Sequence, residues 1–269
     1  MKVGIIPADA RQRAVGAAFE REGWEVVWVT SPSEAVDPLV FPMPVSQDGV
    51  LLYGSNTPLI EWFALLRGRT VYGGRCSAAV RALAEQYGVR LMDHFEREEE
   101  VILNVIPTVE GAVQLAMEQT PFTLHGSRVL VCGFGRIGKL LSRTLLALGA
   151  QVTVSARKQT DFAWCKALGY ETVHTDTLGG HLLGKHIIFN TVPALLFEGR
   201  VLDRMERETL LIDLASAPGG VDFGYASELG IKVLQASGLP GKVAPRTAGE
   251  IICKTIINMY QEEENTRVR

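Results

Sequence analysis

The sequence contains few cysteines and histidines, and their spacing suits neither a metal site nor a disulfide framework. Its 269 residues include four cysteines and five histidines. No two cysteines form a Cys-x-x-Cys pair, and no cysteine has a histidine at metal-ligand spacing. We therefore expect reduced, buried cysteines that act as small apolar side chains, and no metal. The cysteines are Cys76, Cys132, Cys165 and Cys253.

Long apolar runs and a strong charge imbalance are also missing. No apolar stretch approaches the ~20 residues that span a bilayer, and residues 1–7 read as a strand without a signal-peptide pattern. The chain is 47% hydrophobic and 21% charged, with a net charge of −3, which is typical of a globular protein. Such a chain has no general attraction to nucleic acid or to an anionic membrane. These absences predict a cytoplasmic protein without nucleic-acid or membrane partners.

One glycine-rich stretch carries the main functional signal. The apolar run 129–132 ends in Gly-x-Gly-x-x-Gly at residues 133–138, and an apolar-periodic segment follows directly. This pattern predicts a strand, a tight turn and a helix whose N-terminus binds a dinucleotide pyrophosphate. The alternative is a chance glycine-rich turn that binds nothing. The predicted cofactor-binding residues are Gly133, Phe134, Gly135, Arg136, Ile137 and Gly138.

Strands and helices alternate along the whole chain, and the strands read as continuous apolar runs. This pattern predicts an α/β protein with two doubly wound parallel-sheet (Rossmann-like) domains. Residues 1–118 are predicted to form a flavodoxin-like substrate domain with its third strand at 49–54, and residues 119–246 a dinucleotide-binding domain. A helix is expected over 96–118, with Pro107 kinking or dividing it. The final helix, 247–260, is expected to pack back on the first domain.

The end of the second strand of the dinucleotide-binding domain bears on the choice between NAD and NADP. An NAD enzyme usually carries Asp or Glu there, bonded to the ribose 2′-OH. This chain has Ser155, Arg157 and Lys158 instead, which offer a hydroxyl and two cations for a 2′-phosphate. NADP is therefore predicted over NAD. The alternative is that both cations are ordinary solvated surface residues.

Two later strand ends are expected to contribute to the same cofactor site. Ligands of open α/β sheets lie outside the carboxyl ends of the strands. The residues predicted to face the nicotinamide follow two such strands, although either stretch could be only a strand-end turn. They are Asn190, Thr191, Val192, Pro193, Asp213, Ala215 and Ser216.

The loop expected at residues 237–247 suits a substrate that carries carboxylates. Its glycines allow close backbone approach to a ligand, while Lys242 and Arg246 supply two positive charges. Thr247 is expected to cap the helix that follows. The alternative is a hinge loop with exposed cations.

No catalytic acid/base pair stands out in the sequence. Asp9, His94 and Glu110 are the candidates for a base. Each has a simpler interpretation, since Glu110 could be a solvated helix residue and His94 a satisfied or surface histidine.

Several motifs together resemble the family of dipicolinate synthase A-subunits, the sporulation dehydrogenases. Asp9-Ala10-Arg11-Gln12 resembles the family's opening Asp-x-Arg-Gln, and the other motifs run from Asn104 onward. They are residues 104–112 (NVIPTVEGA), 133–138 (GFGRIG), 156–158 (ARK), 190–193 (NTVP), 213–222 (DLASAPGGVD) and 238–249 (GLPGKVAPRTAG).

The resemblance implies a two-domain fold like that of alanine dehydrogenase and the D-2-hydroxyacid dehydrogenases. It also implies NADP-linked oxidation of dihydrodipicolinate, or a close precursor, in the mother cell of a sporulating bacterium. The flavoprotein-like B-subunit of dipicolinate synthase is the implied partner, and a homo-oligomer is expected. The substrate carboxylates are then expected near Lys242, Arg246 and Arg11.

Two other functions stay open at this point. The first is another NAD(P)-dependent dehydrogenase that acts on a 2-hydroxy acid or an amino acid. A D-2-hydroxyacid dehydrogenase would need a late His-Glu pair, and no histidine follows His186. The second is a nucleotide-binding regulatory subunit without turnover of its own.

Overall fold

The computed structural model describes residues 1–267, and the chain divides into two compact units. Unit 1 comprises Met1–Asn104 and Pro240–Arg269, and unit 2 comprises Val105–Leu239. The sequence interpretation has its boundaries at 118/119 and 246/247. The difference arises because the helix Val105–Gln119 packs against the helix Arg136–Ala147 and the strand Leu210–Asp213 of unit 2.

Unit 1 has a five-stranded parallel sheet in the order β2-β1-β3-β4-β5, which is the flavodoxin-like order. Apolar side chains from both faces are buried, as expected for parallel strands covered by helices. The strands are β1 (Lys2–Ile5), β2 (Glu25–Trp28), β3 (Leu39–Val40), β4 (Thr70–Gly73) and β5 (Arg90–Asp93).

The third strand is not at the position predicted from the sequence. The apolar run at 49–54 predicts a strand, but the structure has β3 at Leu39–Val40, paired with β1 and β4. Asp48 Oδ1 accepts the backbone N–H groups of Val50 (2.8 Å) and Leu51 (2.9 Å), so a turn forms in that run. Prolines at positions 38, 42 and 44 hide the real strand in the sequence, because proline is typical of turns and strand edges.

Helices cover the sheet of unit 1, and the last helix of the chain returns to it. The helices α1 (Ala10–Arg21) and α11 (Pro245–Arg267) pack closely, since a Cβ on Gly249 would lie 2.6 Å from the Ala14 carbonyl carbon. The final helix therefore packs on the first unit. The helices are α1 (Ala10–Arg21), α2 (Leu59–Leu65), α3 (Ala78–Gln86), α4 (Glu98–Leu103), α10 (Leu239–Val243, whose first residue belongs to unit 2) and α11 (Pro245–Arg267), with 3₁₀ turns at Pro32–Glu34 and His94–Glu96.

Unit 2 has a six-stranded parallel sheet in the order β11-β10-β9-β6-β7-β8. The order reverses between β6 and β9, which makes a topological switch point beside the glycine turn. The strands are β6 (Arg128–Cys132), β7 (Gln151–Ala156), β8 (Glu171–His174), β9 (Ile187–Asn190), β10 (Leu210–Asp213) and β11 (Val233–Gln235). The helices are α5 (Val105–Gln119), α6 (Arg136–Ala147), α7 (Gln159–Ala167), α8 (Gly199–Leu202) and α9 (Phe223–Glu228), with a 3₁₀ segment at Thr175–His181. Two doubly wound parallel sheets confirm the predicted fold class.

The helical region predicted over residues 96–118 is divided, but the division falls at Asn104 and not at Pro107 as predicted. Pro107 lies in the first turn of α5, where its missing N–H has no intrahelical partner to lose. The stretch Glu98–Gln119 is long and apolar enough to span a membrane by length and composition alone, whereas the sequence pattern predicts no such stretch. Half of its most apolar window is buried, with Val105, Val109 and Ala112 in the core of unit 2, so a core helix accounts for it.

Candidate functional site

The three glycines of the turn after β6 occupy three different environments. Gly133 has φ +94°, which favours glycine, and a Cβ there would also lie 2.6 Å from Thr191 Oγ1. A Cβ on Gly138 would lie 2.1 Å from the Gly133 carbonyl oxygen, so α6 packs directly on the turn. A Cβ on Gly135 would meet no atom within 4 Å. The first two glycines thus fit the chain to itself, and Gly135 leaves open space above the start of α6.

That open space has the properties of a phosphate site. Gly135 is the N-cap residue of α6, and no side chain caps the helix there. The first N–H groups of a helix lack intrahelical partners and lie at the positive end of its dipole. Phe134 is buried in the core, so only its backbone can reach a ligand, while Arg136 is exposed and Ile137 is half-buried. The residues present therefore fit a bound pyrophosphate.

The structure separates the three residues predicted to hold a 2′-phosphate. Arg157 and Lys158 are exposed directly after β7, and within residues 1–267 neither side chain has a hydrogen bond or an ion pair. Ser155 is fully buried, with its Oγ 3.4 Å from Thr175 Oγ1. Burial raises the pKa of the neighbouring Cys132 thiol to about 12, and a hydrogen bond with Ser155 acts in the opposite direction. The two cations thus face solvent together, and Ser155 belongs to the interior beneath them.

The ends of β9 and β10 are joined by a buried side-chain pair that was not predicted from the sequence. Asn190 Nδ2 donates to Asp213 Oδ1 at 2.8 Å, and the residues are 0% and 1% exposed. Asp213 also accepts the backbone N–H groups of Ala215 (3.2 Å) and Gly220 (3.0 Å). Asn190 in turn accepts the Val192 N–H at 3.1 Å. Both side chains hold the two loops together, so the predicted contacts with a cofactor are left to the loop residues that are at least partly exposed.

These partly exposed residues follow β9 and β10, at the switch point next to the glycine turn. Thr191 is half-buried and its Oγ1 donates to the Cys132 carbonyl at 2.8 Å, which fixes the loop against the end of β6. Val192 and Ala215 are half-buried, and Pro193 and Ser216 are exposed. The loops after β6, β9 and β10 therefore meet at one edge of the sheet, where the strand order predicts a dinucleotide to lie.

In unit 1, Asp9 and Arg11 lie together at the start of α1. Asp9 Oδ1 accepts the Gln12 backbone N–H at 2.8 Å, so Asp9 caps the helix. Arg11 donates through Nη2 to the Met43 carbonyl, and the same nitrogen is 3.4 Å from Asp9 Oδ2. A Cβ on Gly241 would lie 3.6 Å from Arg11 Nη1. The guanidinium thus lies between the chain after β3 and the segment that carries Lys242.

The segment at 237–247 differs from the predicted loop. Most of it is helical, because α10 spans Leu239–Val243 and α11 begins at Pro245, so Thr247 lies in the first turn of α11 and is not its cap. Proline suits the first turn of a helix, and this explains the early start. Lys242 is exposed on α10. Arg246 is also exposed, and its Nε donates to Glu250 Oε1 at 3.0 Å, which already pairs with Arg21.

The two other candidates for a base lie in contrasting environments. His94 is 1% exposed, and its Nδ1 is 2.9 Å from both carboxylate oxygens of Glu100, which is fully buried. A Cβ on Gly74 would lie 2.7 Å from His94 Nε2. This environment matches the interpretation of His94 as a satisfied interior histidine. Glu110 is exposed on α5.

Two further features bear on where ligands bind. A groove of about 910 Å³ lies beside β8, lined by Thr153, Tyr170, Glu171 and Lys185 among others. Lys185 donates to Thr153 Oγ1 at 2.7 Å, and burial lowers its pKa. The groove does not include the glycine turn, so it is not the dinucleotide site. Within residues 1–267, no group of three or more His, Cys, Asp or Glu could hold a metal ion.

Comparisons with known proteins agree with a dinucleotide-binding fold in unit 2. Residues 107–218 match the family model described as "D-isomer specific 2-hydroxyacid dehydrogenase, NAD binding domain", which supports a nicotinamide cofactor in unit 2. The apo-structure of D-lactate dehydrogenase from Escherichia coli is similar at a TM-score of 0.64 and 14% identity, over 98% of each chain. At that identity the likeness concerns the fold alone.

Closer similarity extends over both units. The dipicolinate synthase A-subunit of Bacillus subtilis (strain 168) is 43% identical over 97% of this chain and 96% of its own. The crystal structure of the dipicolinate synthase A-subunit from Bacillus halodurans has a TM-score of 0.85 and 32% identity, covering 96% of this chain and 97% of that one. The chain therefore belongs to the family of dipicolinate synthase A-subunits, with a dehydrogenase-type fold.

Proposed function

We propose that this protein is the dehydrogenase subunit of a dipicolinate-forming enzyme. It oxidises dihydrodipicolinate, or a close precursor, to dipicolinate with NADP, in the cytoplasm of the mother cell during sporulation. The observation that carries the proposal is the 43% identity to the dipicolinate synthase A-subunit over 97% of the chain. Similarity on this scale extends over both unit 1 and unit 2.

The choice of NADP is supported by the side chains after β7. Arg157 and Lys158 are exposed there, and none of residues 157–160 is a carboxylate that could accept a ribose 2′-OH or repel a 2′-phosphate. A guanidinium can bind a phosphate through two parallel hydrogen bonds, while an ammonium adds a point charge. Both cations are available for this because neither is paired within the described residues.

The chain's residues have separate tasks in the proposed reaction. Bound NADP would supply the hydride acceptor for oxidation at a ring carbon of the substrate. Backbone N–H groups at Gly135 and the start of α6 would hold its pyrophosphate. The Asn190–Asp213 pair keeps the two neighbouring loops in place, so that their backbone can face the nicotinamide. Formation of an aromatic pyridine ring supplies driving force for the oxidation.

Cationic side chains of unit 1 supply the substrate contacts in this proposal. Arg11 and Lys242 belong to segments that are in contact, and both carry a positive charge for a carboxylate. Arg246 is a weaker candidate because Glu250 already neutralises it. The proton that leaves with the hydride needs a base. Asp9 is the candidate that lies beside Arg11, whereas His94 is buried against Glu100 and Glu110 lies on α5.

The proposal extends to partners. The relatives are A-subunits of dipicolinate synthase, so we infer that a flavoprotein-like B-subunit completes the enzyme. We also infer association of this chain with further copies of itself.

The decisive experiment supplies freshly prepared dihydrodipicolinate and NADP to the purified chain, with and without the B-subunit. Dipicolinate and NADPH are expected in equal amounts, each detected by its ultraviolet absorbance. NADPH binding without product under both conditions would favour a non-catalytic, nucleotide-binding regulatory role. Turnover of a 2-hydroxy acid or an amino acid instead would identify another dehydrogenase of the same fold.

A further inference from the structure

Two neighbouring side chains at the start of α1 have buried nitrogen atoms without hydrogen-bond partners. Arg11 Nε and Gln12 Nε2 are both enclosed, and neither has a partner in the described chain. Gln12 is 1% exposed, and the Arg11 side chain is 13% exposed. A buried donor left without an acceptor costs about 1–3 kcal/mol, so such atoms are rare and need an explanation.

Gln12 lies at the point of the sheet where ligands of open α/β proteins usually bind. Gln12 lies three and seven residues before Val15 and Phe19, which are buried on the sheet-facing side of α1. It therefore points to the sheet from the first helical turn, at the carboxyl end of β1. The sheet order β2-β1-β3 makes the gap between β1 and β3 a topological switch point. Ligands of open α/β sheets bind at such points.

Arg11 lies over the same gap. Its Nη2 donates to the carbonyl of Met43, three residues beyond the end of β3. The nearby carboxylate of Asp9 does not satisfy either orphaned nitrogen, because its Oδ1 accepts the Gln12 backbone N–H and its Oδ2 is 3.4 Å from Arg11 Nη2. Two N–H donors, one of them cationic, therefore lack an acceptor at the positive end of a twelve-residue helix.

We propose that Arg11 and Gln12 form a carboxylate subsite, in which Arg11 Nε and Gln12 Nε2 donate to one carboxylate of the substrate. This inference rests on the proposed function for the identity of the substrate and adds Gln12 to the residues that bind it. An amide suits this position because it supplies a second donor without a second positive charge. With the carboxylate bound, both buried donors are satisfied, so binding energy comes from hydrogen bonds that the free protein leaves unmade.

The test is binding of pyridine-2,6-dicarboxylate, measured by isothermal titration calorimetry without cofactor, on the full chain. Gln12→Leu removes the donor while keeping the approximate volume, and Gln12→Glu puts a carboxylate in its place. Gln86→Leu is the matched control, since Gln86 is exposed at the end of α3. Loss of one charge-assisted hydrogen bond predicts about tenfold weaker binding or more for both Gln12 variants, and unchanged binding for Gln86→Leu.

A second readout does not depend on the fold of the variants. In the wild-type protein, the side-chain amide resonances of Gln12 are assigned by triple-resonance experiments on isotope-labelled protein. They are expected to shift as pyridine-2,6-dicarboxylate is added. Equal affinity of the wild type and the Gln12→Leu variant, with unmoved resonances, would overturn the subsite and leave a buried water as the partner of both donors.

A panel of other ligands separates this inference from the proposed function. If pyruvate or malate binds and loses affinity with Gln12→Leu while pyridine-2,6-dicarboxylate does not bind, the subsite stands and the dipicolinate assignment fails. If none of these carboxylates binds the wild type, the subsite itself is wrong, whatever the outcome of the turnover assay.

Discussion

Asn190 and Asp213 end two neighbouring strands of unit 2, and a 2.8 Å hydrogen bond between their side chains joins the loops that follow. Both are buried, and Asp213 accepts two backbone N–H groups in addition to the Asn190 amide. A Cβ on Gly220 would lie 2.1 Å from Asn190 Nδ2, so the loop after β10 is packed tightly on this pair. A buried carboxylate with three donors positions backbone that lies next to the glycine turn.

Replacing Asp213 is therefore expected to destabilise unit 2 and weaken dinucleotide binding together. Asp213→Ala leaves the Asn190 amide and two backbone N–H groups without their acceptor, which predicts a free energy of unfolding lower by about 3 kcal/mol. Urea denaturation followed by circular dichroism measures this. Asp176→Ala is the control, because the Asp176 side chain is 77% exposed. Equal stability of the two variants would show that the loops do not depend on the pair.

The glycine turn allows fold and ligand binding to be tested apart. Gly138→Ala is expected to lower the free energy of unfolding by about 2 kcal/mol, because its Cβ would meet the Gly133 carbonyl oxygen. Gly135→Ala is expected to change stability by less than about 0.5 kcal/mol, since that Cβ meets no atom within 4 Å and φ is −78°. Its methyl group would nevertheless occupy the open space at the start of α6 where the pyrophosphate is expected, and it would reduce NADPH affinity at least about tenfold. Unchanged affinity in Gly135→Ala would argue against a pyrophosphate at this turn.

The glycine turn and the alternation of strands and helices depend on residues close in sequence. Apolar runs alternate with amphipathic segments, and the glycines stand directly before α6, so both domains and the dinucleotide turn could be predicted. Asn190 and Asp213 also end adjacent buried strands, and that shared position could have revealed their pairing. Their role as anchors of the loops follows only from the hydrogen bonds.

Features that depend on distant residues could not be predicted. The two-residue strand β3 is defined by burial between β1 and β4, while its flanking prolines favour a turn. The glycines and prolines around α10 likewise favour a loop, although the segment is helical. Gln12 is polar in a first helical turn, where an exposed residue is the usual expectation, and only the fold shows that its amide is enclosed.

Charge reversal at Arg157 tests the cofactor preference. Arg157→Glu introduces a carboxylate after β7, which would repel a 2′-phosphate and could accept a ribose 2′-OH. NADPH affinity is expected to fall at least about tenfold, and the ratio of NADPH to NADH affinity to fall further. Fluorescence titration of each reduced cofactor measures both. Lys166→Glu on the exposed side of α7 makes the same change in net charge and should leave the ratio unaltered. A wild-type protein that prefers NADH would contradict the NADP assignment outright.

Stability is expected to decline in alkaline solution through the buried thiols. Burial raises the pKa of Cys132 to about 12 from an ordinary value of 9.0, so above pH 9 the unfolded chain releases a proton that the folded chain keeps. The stabilising contribution is complete below pH 9 and is lost as the pH rises towards 12, by about 1.4 kcal/mol per pH unit. Urea denaturation below pH 9 and at about pH 10.5 measures the slope.

A single variant isolates the share of Cys132 in that slope. Cys132→Ala removes this thiol, while Cys253, whose pKa burial also raises to about 12, keeps its own contribution. The slope of stability against pH is therefore expected to become shallower without vanishing. An identical slope in the variant would mean that the Cys132 thiol ionises as freely in the folded protein as in the unfolded chain.

Asp9 caps α1 and also lies beside Arg11, so a structural role must be separated from a role in proton transfer. Asn is as good an N-cap as Asp, so Asp9→Asn should keep the bond to the Gln12 N–H and leave stability unchanged within about 0.5 kcal/mol. Asp9→Ala should lower it by about 1 kcal/mol. If Asp9 is the base, kcat should fall about 100-fold or more in both variants, because an amide cannot accept the proton. If kcat instead follows stability, falling in Asp9→Ala alone, the carboxylate serves only as a cap, and the search for the base moves to Glu110 and His94.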